Sequence, residues 1–510
     1  MLPLLCQHTK CIAVKTTLPW SKLYSSYCKI RKCIPSHLCC RRFHEFRDYC
    51  TTSNASNEFH SRFRHWKDSG AVRPVFNMEH VMENVEEINN NNLHRKGDAD
   101  VFQVVEFWKK LKKLEDAIIT LKQEINDLAL KVQTDVENKD ALENRKTYLI
   151  SQKKQIESKI EEHEDAYYEA ALKLPNRTHP DAPIGEENQA RVIHIHGEKP
   201  KFDFPIKGHI ELGENLDILR IKNLGNVTGN RSYYLKGAGA QLEEALTCYT
   251  IERLLQKGFR LISVPNLIQP VVFEGCGMRT KGEHTQVYWL DPSQHSHNIC
   301  LAGTGEVGLA GYFMNKLLAE VDLPQKVMTV SQCYRAETTH SADARGLYRV
   351  HQFTKIEMFG VTSQNSGDES SELFEEYSSV QRQLFSGLGL HFHVLDMPSE
   401  ELGASANRKY DIEAWMPHKD SYGEISSTSN CTDFQSRRLN IKYINSDSEK
   451  KYVHTINGTG CAVPRMILAI LENFQQADGS IHIPKVLQPY MNGQSSITKP
   501  DRRPIHYTRL

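Results

Sequence analysis

Two helix-like segments in the N-terminal third of the chain most restrict the folds open to it. In the first, which starts near Val101, apolar residues recur mostly at alternating spacings of three and four. This pattern predicts a helix with one apolar stripe, as in a coiled coil. A polar turn at residues 134–140 leads into a second such segment, which extends to about residue 172. Two helices of about thirty residues each form an antiparallel hairpin about 45 Å long. The stripe consists of Leu111, Ile118, Leu121, Ile125, Leu128 and Val132, then Leu142, Leu149, Ile156, Ile160 and Tyr167.

The rest of the chain predicts an antiparallel α+β domain, because strand-like segments are grouped with few helices between them. The strand-like segments are HIHGEKP, YYLKGAGA, LISVPNL, QVYWL, KVMTVSQCY, VHQFTKIEMFGV, HFHVLDM, KYDIEAWM and GEISSTSN. The helix-like segments are AQLEEALTCYTIERLLQKG, EVGLAGYFMNKLLAEV, SSELFEEYSSVQRQLFSGLG and PRMILAILENFQ. A segment rich in proline and glycine, residues 172–185, links this domain to the hairpin.

Composition indicates a globular protein with room for two or three domains. The chain has 510 residues, 39% of them hydrophobic and 25% charged, which are ordinary values for soluble proteins. No apolar run approaches the roughly 18–20 residues of a membrane helix, so no membrane partner is expected.

The first sixty residues have the character of a targeting segment. Residues 1–44 contain eight Lys or Arg and no Asp or Glu, which is typical of an organelle transit peptide. We therefore expect residues 1–60 to be a leader and the protein to reach the mitochondrial matrix. The alternative is a disordered basic arm that contacts nucleic acid. Seven of the 13 cysteines lie in residues 1–50 at spacings that match no zinc template, so no structural zinc is expected.

Five charged residues lie in apolar or β-branched surroundings in the C-terminal half: Arg335, Glu337, Glu357, Glu424 and Arg465. A charge is costly to bury there unless it is paired or meets a ligand. Arginine suits phosphate oxygens because its planar guanidinium offers paired donors. Carboxylates suit a metal ion, an ammonium group or a hydroxyl. Together these side chains predict a site for ATP and an amino acid.

The segments around these residues carry a family resemblance. CYRAET (333–338) resembles motif 2 of the class II aminoacyl-tRNA synthetases, and NGTGCAVPR (457–465) resembles motif 3. RGLYRVHQFTKIEM, GEISSTSNCTDFQSRR and QQADGSIHIPKVLQPYMNG resemble the seryl-tRNA synthetase family in particular. The resemblance implies a tRNA-binding arm over residues 61–178, with its hairpin at about 101–172. It also implies a class II catalytic domain over 179–493 and a C-terminal tail over 494–510.

The resemblance implies a role for each charged residue toward ATP. Arg335 would contact the α-phosphate and Arg465 the γ-phosphate, while Glu424 would bind the Mg²⁺ that accompanies ATP. Glu337 and Val350 would hold the adenine side. The whole set implied for ATP is Arg335, Ala336, Glu337, Val350, Glu424, Ile425, Ser426, Ser427 and Arg465, with Arg335, Arg465 and Glu424 as the catalytic members.

The residues implied for serine come from three separate segments. Thr304, Gly305 and Glu306 replace a Thr-Ala-Glu segment of the family, Glu357 would meet the serine hydroxyl, and Thr459 belongs to motif 3. Glycine at 305 departs from the family pattern, as does glycine at 423, where a larger residue is frequent. An alternative interpretation of residues 303–308, GTGEVG, is a dinucleotide-binding loop.

The remaining partners are also implied by the resemblance. The hairpin would hold mitochondrial serine tRNA, although a coiled coil alone would equally suit an oligomerisation rod. LISVPNL (261–267) would be motif 1, with Pro265 at a homodimer interface. The basic run SRRLN (436–440) could face tRNA or form a solvated edge, and His351 is expected to be a packed histidine. A catalytically silent relative that binds tRNA is the competing class of function, and selenocysteine tRNA stays open as a second substrate.

Overall fold

The computed structural model describes residues 73–134, 138–282, 285–294, 298–338 and 346–500. The predicted leader and its cysteines lie outside the described residues, as does 501–510 of the predicted tail. The helices are α1 Met78–Glu83, α2 Val85–His94, α3 Val101–Thr134, α4 Lys139–Ala171, α5 His209–Asn215, α6 Ala238–Gln256, α7 Pro270–Gly275, α8 Gly305–Phe313, α9 Glu369–Gly387, α10 Phe434–Leu439 and α11 Val463–Asn473. The strands are β1 Arg191–His196, β2 Leu219–Arg220, β3 Tyr234–Leu235, β4 Arg260–Leu261, β5 Leu267–Ile268, β6 Tyr288–Trp289, β7 Cys300–Leu301, β8 Leu317–Ala319, β9 Gln325–Tyr334, β10 Gln352–Thr362, β11 Phe392–Asp396, β12 Arg408–Met416, β13 Ser421–Thr432, β14 Lys442–Ile444, β15 Lys450–Tyr452, β16 His454–Ala462, β17 Ile481–His482 and β18 Ser496–Ile497.

Helices α3 and α4 form the predicted hairpin. Leu111, Ile118, Leu149 and Tyr167 of the predicted stripe are buried, and the other stripe residues are half-buried. The apolar stripe therefore holds the two helices together, as expected for a period of 3.5 residues. None of the described helices combines the length and the apolar character that crossing a bilayer requires.

An eight-stranded sheet organises the rest of the chain, in the order β1-β11-β12-β13-β16-β10-β9-β4. All neighbours in this sheet are antiparallel except β4, which runs parallel to β9. The predicted fold class, α+β with a helical hairpin before an antiparallel sheet, is confirmed.

Alternate residues of β10 face opposite sides of this sheet. Ile356 and Met358 enter a core that they share with α6, α9 and α11. Phe359 and Val361 enter a second core with α7, α8 and α10. Glu357 shares its side of the strand with Phe359, so its carboxylate faces the layer that contains α8 and α10.

Several predicted elements were wrong in their extent; LISVPNL, for example, is a strand only at Leu261 and Leu267. The helix expected over 306–321 ends at Phe313, and Leu317–Ala319 forms β8 instead. Asn315 has φ 61°, a left-handed conformation that asparagine tolerates and that stops a helix. The segment YYLKGAGA is a strand only at Tyr234–Leu235, because its last residues already belong to α6.

Candidate active site

Four neighbouring strands bring the predicted site residues together. In the order β13, β16, β10 and β9 they form one side of a cleft of about 550 Å³ that is open to solvent. The sheet order therefore joins segments that are far apart in the chain. The cleft is lined by Arg335, Glu337, Leu347, Tyr348, Arg349, Val350, Phe353, Lys355, Glu424, Ile425, Ser426, Ser427, Thr459, Ala462, Pro464 and Arg465.

Positive charge predominates in this lining, since four cationic side chains accompany two carboxylates. Arg349 lies 3.5 Å from the Glu337 carboxylate. Arg335 forms no ion pair with any described residue; its Nε donates to the Gly303 carbonyl at 3.1 Å. Its guanidinium lies 5.3 Å from the Phe353 ring centroid. Arg335 is thus held in place without being neutralised, which suits an anionic ligand.

Glu424 and Arg465 face each other on the wall of the cleft. Their side chains approach to 3.1 Å, and the Glu424 side chain is 38% exposed. Desolvation by its surroundings would raise the pKa of Glu424, but the Arg465 and Lys409 charges outweigh it and lower the pKa to about 2. Tyr348 supports both residues: its hydroxyl accepts the Glu424 N–H at 2.9 Å, and its ring lies 4.5 Å from the Arg465 guanidinium. Glu424 is therefore ionised and open to solvent at physiological pH.

Glu357 is buried and does not itself line the cleft; of the residues expected around serine, only Thr459 does. The Glu357 carboxylate accepts the Thr304 hydroxyl at 3.0 Å and pairs with Lys355, which precedes it by two residues on the same face of β10. Glu357 lies opposite Thr459 in the register of β10 and β16, at a bulge. The carboxylate therefore has a fixed position and two partners before any ligand arrives.

Glu306, in the first turn of α8, is held by two amide side chains. Gln435 Nε2 donates to its Oε1 at 2.6 Å, and Asn457 Nδ2 donates to the same oxygen at 2.8 Å. Burial, together with the charge of Glu357, raises the pKa of Glu306 to about 7. A buried carboxylate held only by neutral donors is a suitable partner for an ammonium group.

The residues expected around ATP line the cleft, with the exception of Ala336. The Ala336 N–H donates to the Gln286 carbonyl at 3.0 Å.

The dinucleotide interpretation of 303–308 is wrong. Strand β7, which precedes this loop, pairs antiparallel with β5 and β6, so no parallel βαβ unit surrounds the loop.

Sequence reasoning missed four polar residues of the site: Lys355, Tyr348, Gln435 and Asn457. Lys355 could have been found, since it lies two residues before Glu357 in a strand and shares its face. The other three lie inside the quoted segments RGLYRV, TDFQSRR and NGTG. Nothing in those segments indicated which carboxylate each side chain would contact.

Two further expectations have clear outcomes. His351 is a hydrogen-bonded histidine, as predicted, because its Nδ1 lies 3.0 Å from both the Tyr288 hydroxyl and the Arg335 carbonyl. For the run 436–440, both alternatives were wrong at Arg438, which is buried and lies 3.4 Å from the Phe434 ring centroid.

Comparisons with known proteins agree on one family. Residues 288–474 match the family described as tRNA synthetase class II core domain (G, H, P, S and T). A mitochondrial serine–tRNA ligase from Bos taurus is 45% identical over 459 residues, which cover 87% of this chain and 88% of that protein. The serine–tRNA ligase from Treponema denticola is 38% identical over 416 residues, 80% of this chain and 97% of that one. A crystal structure of seryl-tRNA synthetase from Pyrococcus horikoshii complexed with ATP superimposes with a TM-score of 0.75 at 30% identity, covering 84% of this chain and all of that one.

Gly305 is closely surrounded, which bears on its departure from the family pattern. A Cβ at this position would lie 2.6 Å from Thr329 Cγ2, 2.9 Å from Ser331 Oγ and 3.1 Å from Glu357 Cβ. Thr329 is fully buried, so the space that an alanine would need is occupied by this methyl group. Glycine at 305 and threonine at 329 therefore form a matched pair.

We expect Gly305→Ala to lower the free energy of unfolding by about 1–3 kcal/mol, because it overfills a packed region. Adding Thr329→Ser, which removes the clashing methyl group, should restore part of that loss. Denaturant unfolding of the single and double variants measures both effects. Gly225→Ala is the control, because its Cβ would meet nothing within 4 Å. Equal stability of Gly305→Ala and the parent would contradict the crowding.

Proposed function

Since the chain belongs to the serine–tRNA ligase family, also called the seryl-tRNA synthetases, we propose that this cleft is where it activates serine with ATP and charges serine tRNA. Its mitochondrial relatives are 45% and 44% identical to it, so it is a mitochondrial enzyme. The observation that carries the proposal is the convergence of residues from four strands on one cationic cleft. A silent relative would not need to keep these charges.

The phosphates of ATP are the natural ligands of the cationic wall. Arg335, without an acidic partner among the described residues, is available to the α-phosphate, where charge develops as the reaction proceeds. Arg465 would turn from Glu424 toward the γ-phosphate, in line with the family pattern. The Phe353 ring and Val350 offer an apolar surface for adenine, while Glu337 lies on the same wall.

Glu424 suits the Mg²⁺ ion that accompanies ATP. In nucleotide sites Mg²⁺ usually takes one or two protein carboxylates and otherwise phosphates and water. Glu424 is ionised and partly exposed at the cleft, so it would hold Mg²⁺. The ion would neutralise phosphate charge; Arg335 and Arg465 orient the phosphates from the protein side.

Serine would bind where Thr459, which lines the cleft, lies opposite the buried Glu357. The serine ammonium group would meet Glu306 and Thr304, and Gly305 would contribute main-chain atoms. The hydroxyl would donate to Glu357, with Thr459 on the neighbouring strand. Because Lys355 and Thr304 already orient the Glu357 carboxylate, alanine would leave a buried acceptor incompletely bonded. A site of this kind rejects a substrate without the hydroxyl strongly.

The reaction then requires positioning rather than a covalent enzyme intermediate. The serine carboxylate attacks the α-phosphorus of ATP, and pyrophosphate leaves. The terminal ribose hydroxyl of the tRNA next attacks the carbonyl of seryl-adenylate, and AMP leaves. Arg335 stabilises charge at the reacting phosphorus, and Glu357 and Glu306 fix the attacking amino acid.

Three further features remain proposals beside the catalytic site. The proposed boundaries are a leader at 1–60, an arm at 61–178, a catalytic domain at 179–493 and a tail at 494–510, with the matrix as the compartment. The hairpin would bind tRNA phosphates through its exposed lysines.

A homodimer is supported by an open apolar groove of about 990 Å³. It is lined by Ile262, Ser263, Val264, Pro265, Leu267, Ile268, Gln269, Val271, Val272, Val307, Gly308, Gly311, Tyr312, Met314 and Asn315. The predicted interface residue Pro265 is among them. Exposed apolar patches of this kind on a soluble protein suit a partner surface.

Arg335→Ala should reduce serine-dependent ATP–pyrophosphate exchange by at least about 100-fold, because one charge-assisted contact to the reacting phosphate is lost. Unfolding should be unchanged. Arg253→Ala, which removes a cation from an exposed position on α6, is the matched control and should behave as the parent. Exchange by Arg335→Ala within a few-fold of the parent would contradict the proposed catalytic role.

Replacing residues 120–151, the outer part of the hairpin, with a short turn should spare pyrophosphate exchange and abolish most tRNA charging. Only the second step needs the hairpin to position the tRNA. Raising the salt concentration should weaken charging by the parent in the same direction, because phosphate contacts are screened. A parallel loss of both activities would instead mark the hairpin as a folding element.

The raised pKa of Glu306 predicts a pH dependence of serine binding. Below pH 7 the carboxylate is mostly protonated in the free enzyme, and a neutral carboxyl attracts ammonium poorly. The KM for serine should therefore rise as pH falls below 7, by up to about tenfold per unit, and level off above it. Glu306→Gln should show a high KM without this dependence. A parent KM that is constant between pH 5.5 and 8 would refute the assignment.

A further inference from the structure

Helix α10 contacts the proposed serine site and also the residues at the base of the hairpin. Gln435 holds Glu306 at 2.6 Å. Three residues later, the Arg438 guanidinium lies 5.0 Å from the Phe76 ring centroid and donates to the Leu174 carbonyl at 3.3 Å. The Val75 N–H donates to the carbonyl of Arg437 at 3.0 Å. We call Val75, Phe76, Tyr167, Leu174 and Asn176 the hairpin base.

A second connection reaches Glu306 from the same base. Asn176 Nδ2 donates to the Cys431 carbonyl at 2.9 Å. Asn457 Nδ2 lies 3.5 Å from the Cys431 sulfur and donates to Glu306 at 2.8 Å. Both amides that hold the Glu306 carboxylate are therefore connected to the hairpin base through a short series of hydrogen bonds and packing contacts.

Burying the Arg438 guanidinium costs free energy, which a contact that only filled space would not require. The residue is 6% exposed, and burial lowers the pKa of its guanidinium to about 9. An apolar side chain of similar volume would pack in such a place at lower cost. The guanidinium adds direction, since it donates both to the Phe434 carbonyl at 3.0 Å within α10 and to Leu174 in the base.

We propose that Arg438 is a positioning residue for the amino-acid site: it fixes α10 against the hairpin base, and α10 thereby fixes Gln435 and the Glu306 carboxylate. The inference rests on the proposed assignment of Glu306 to the serine ammonium group. It extends that assignment, because the contact between α10 and the hairpin base would then help to set the affinity for serine. By thermodynamic linkage, a ligand that shifts the hairpin base must then alter serine binding, and serine must alter the binding of that ligand equally.

The test is serine-dependent pyrophosphate exchange by the full chain without tRNA. Arg438→Met keeps the length and removes the donors. We expect the KM for serine to rise about tenfold, within the usual range of coupling between sites, while kcat and the KM for ATP stay within about twofold. Phe76→Leu, which acts from the hairpin side and leaves α10 intact, should raise the KM for serine by a smaller factor. It also serves if Arg438→Met does not fold.

Arg437→Gln is the matched control on the same helix. Its side chain pairs with Asp433 at 2.6 Å and lies 4.8 Å from the Tyr452 ring centroid, and neither residue belongs to the hairpin base. This variant should keep the parent KM for serine. An equal rise there would mean that any disturbance of α10 suffices, and the role assigned to Arg438 would fall.

Glu306→Gln separates failure of this inference from failure of the proposed function. If Glu306→Gln raises the KM for serine and neither Arg438→Met nor Phe76→Leu does, the function stands and the inference is overturned. If Glu306→Gln leaves the KM unchanged, the serine assignment fails and the inference fails with it. The supporting result also includes a double variant, Arg438→Met with Glu306→Gln, whose effect is smaller than the product of the single effects.

Discussion

The buried contact between Lys355, Glu357 and Thr304 is the interaction on which the site depends. It joins a strand in the centre of the sheet to the start of α8, and its two charges are buried where an unpaired charge would be costly. The close approach of α8 that permits this contact requires glycine at 305, because a Cβ there would collide with Thr329. The hydrogen bond from Thr304 to Glu357 and the close packing of Gly305 against Thr329 therefore depend on neighbouring residues at the start of α8.

Antiparallel sheet order explains how one cleft can serve two different ligands. The strands β13, β16, β10 and β9 are neighbours, although their segments span residues 325–462. Arg335, Arg349 and Arg465 are partly exposed in the cleft, where phosphates can reach them. Glu357 and Glu306 are buried, the latter in the first turn of α8. The partly exposed arginines and the two buried carboxylates would thus offer the nucleotide and the amino acid different environments.

Local pattern was enough to predict what depends on local geometry. The heptad stripe identified the hairpin because a helix repeats its faces at a fixed period, and the charged residues of the cleft were visible because charge is rare in apolar strands. The partners of Glu306 were not predictable in this way. Gln435 and Asn457 meet it only through the placement of α10 and the register of β16. Likewise, a bulge beside Glu357 alters the pairing with Thr459, and no periodicity in the sequence signals it.

The ionisation of the Glu306 carboxylate is the property through which the hairpin base would affect the amino-acid site. Burial and the charge of Glu357 favour the neutral carboxyl, while the hydrogen bonds from Gln435 and Asn457 favour the ionised form, and the pKa is about 7. A group balanced in this way responds strongly to small changes. If either amide withdrew, the pKa would rise further, and the ionised fraction at neutral pH would fall. Because both amides are linked to the hairpin base, movement there acts on the charge that would meet the serine ammonium group, and not merely on its position.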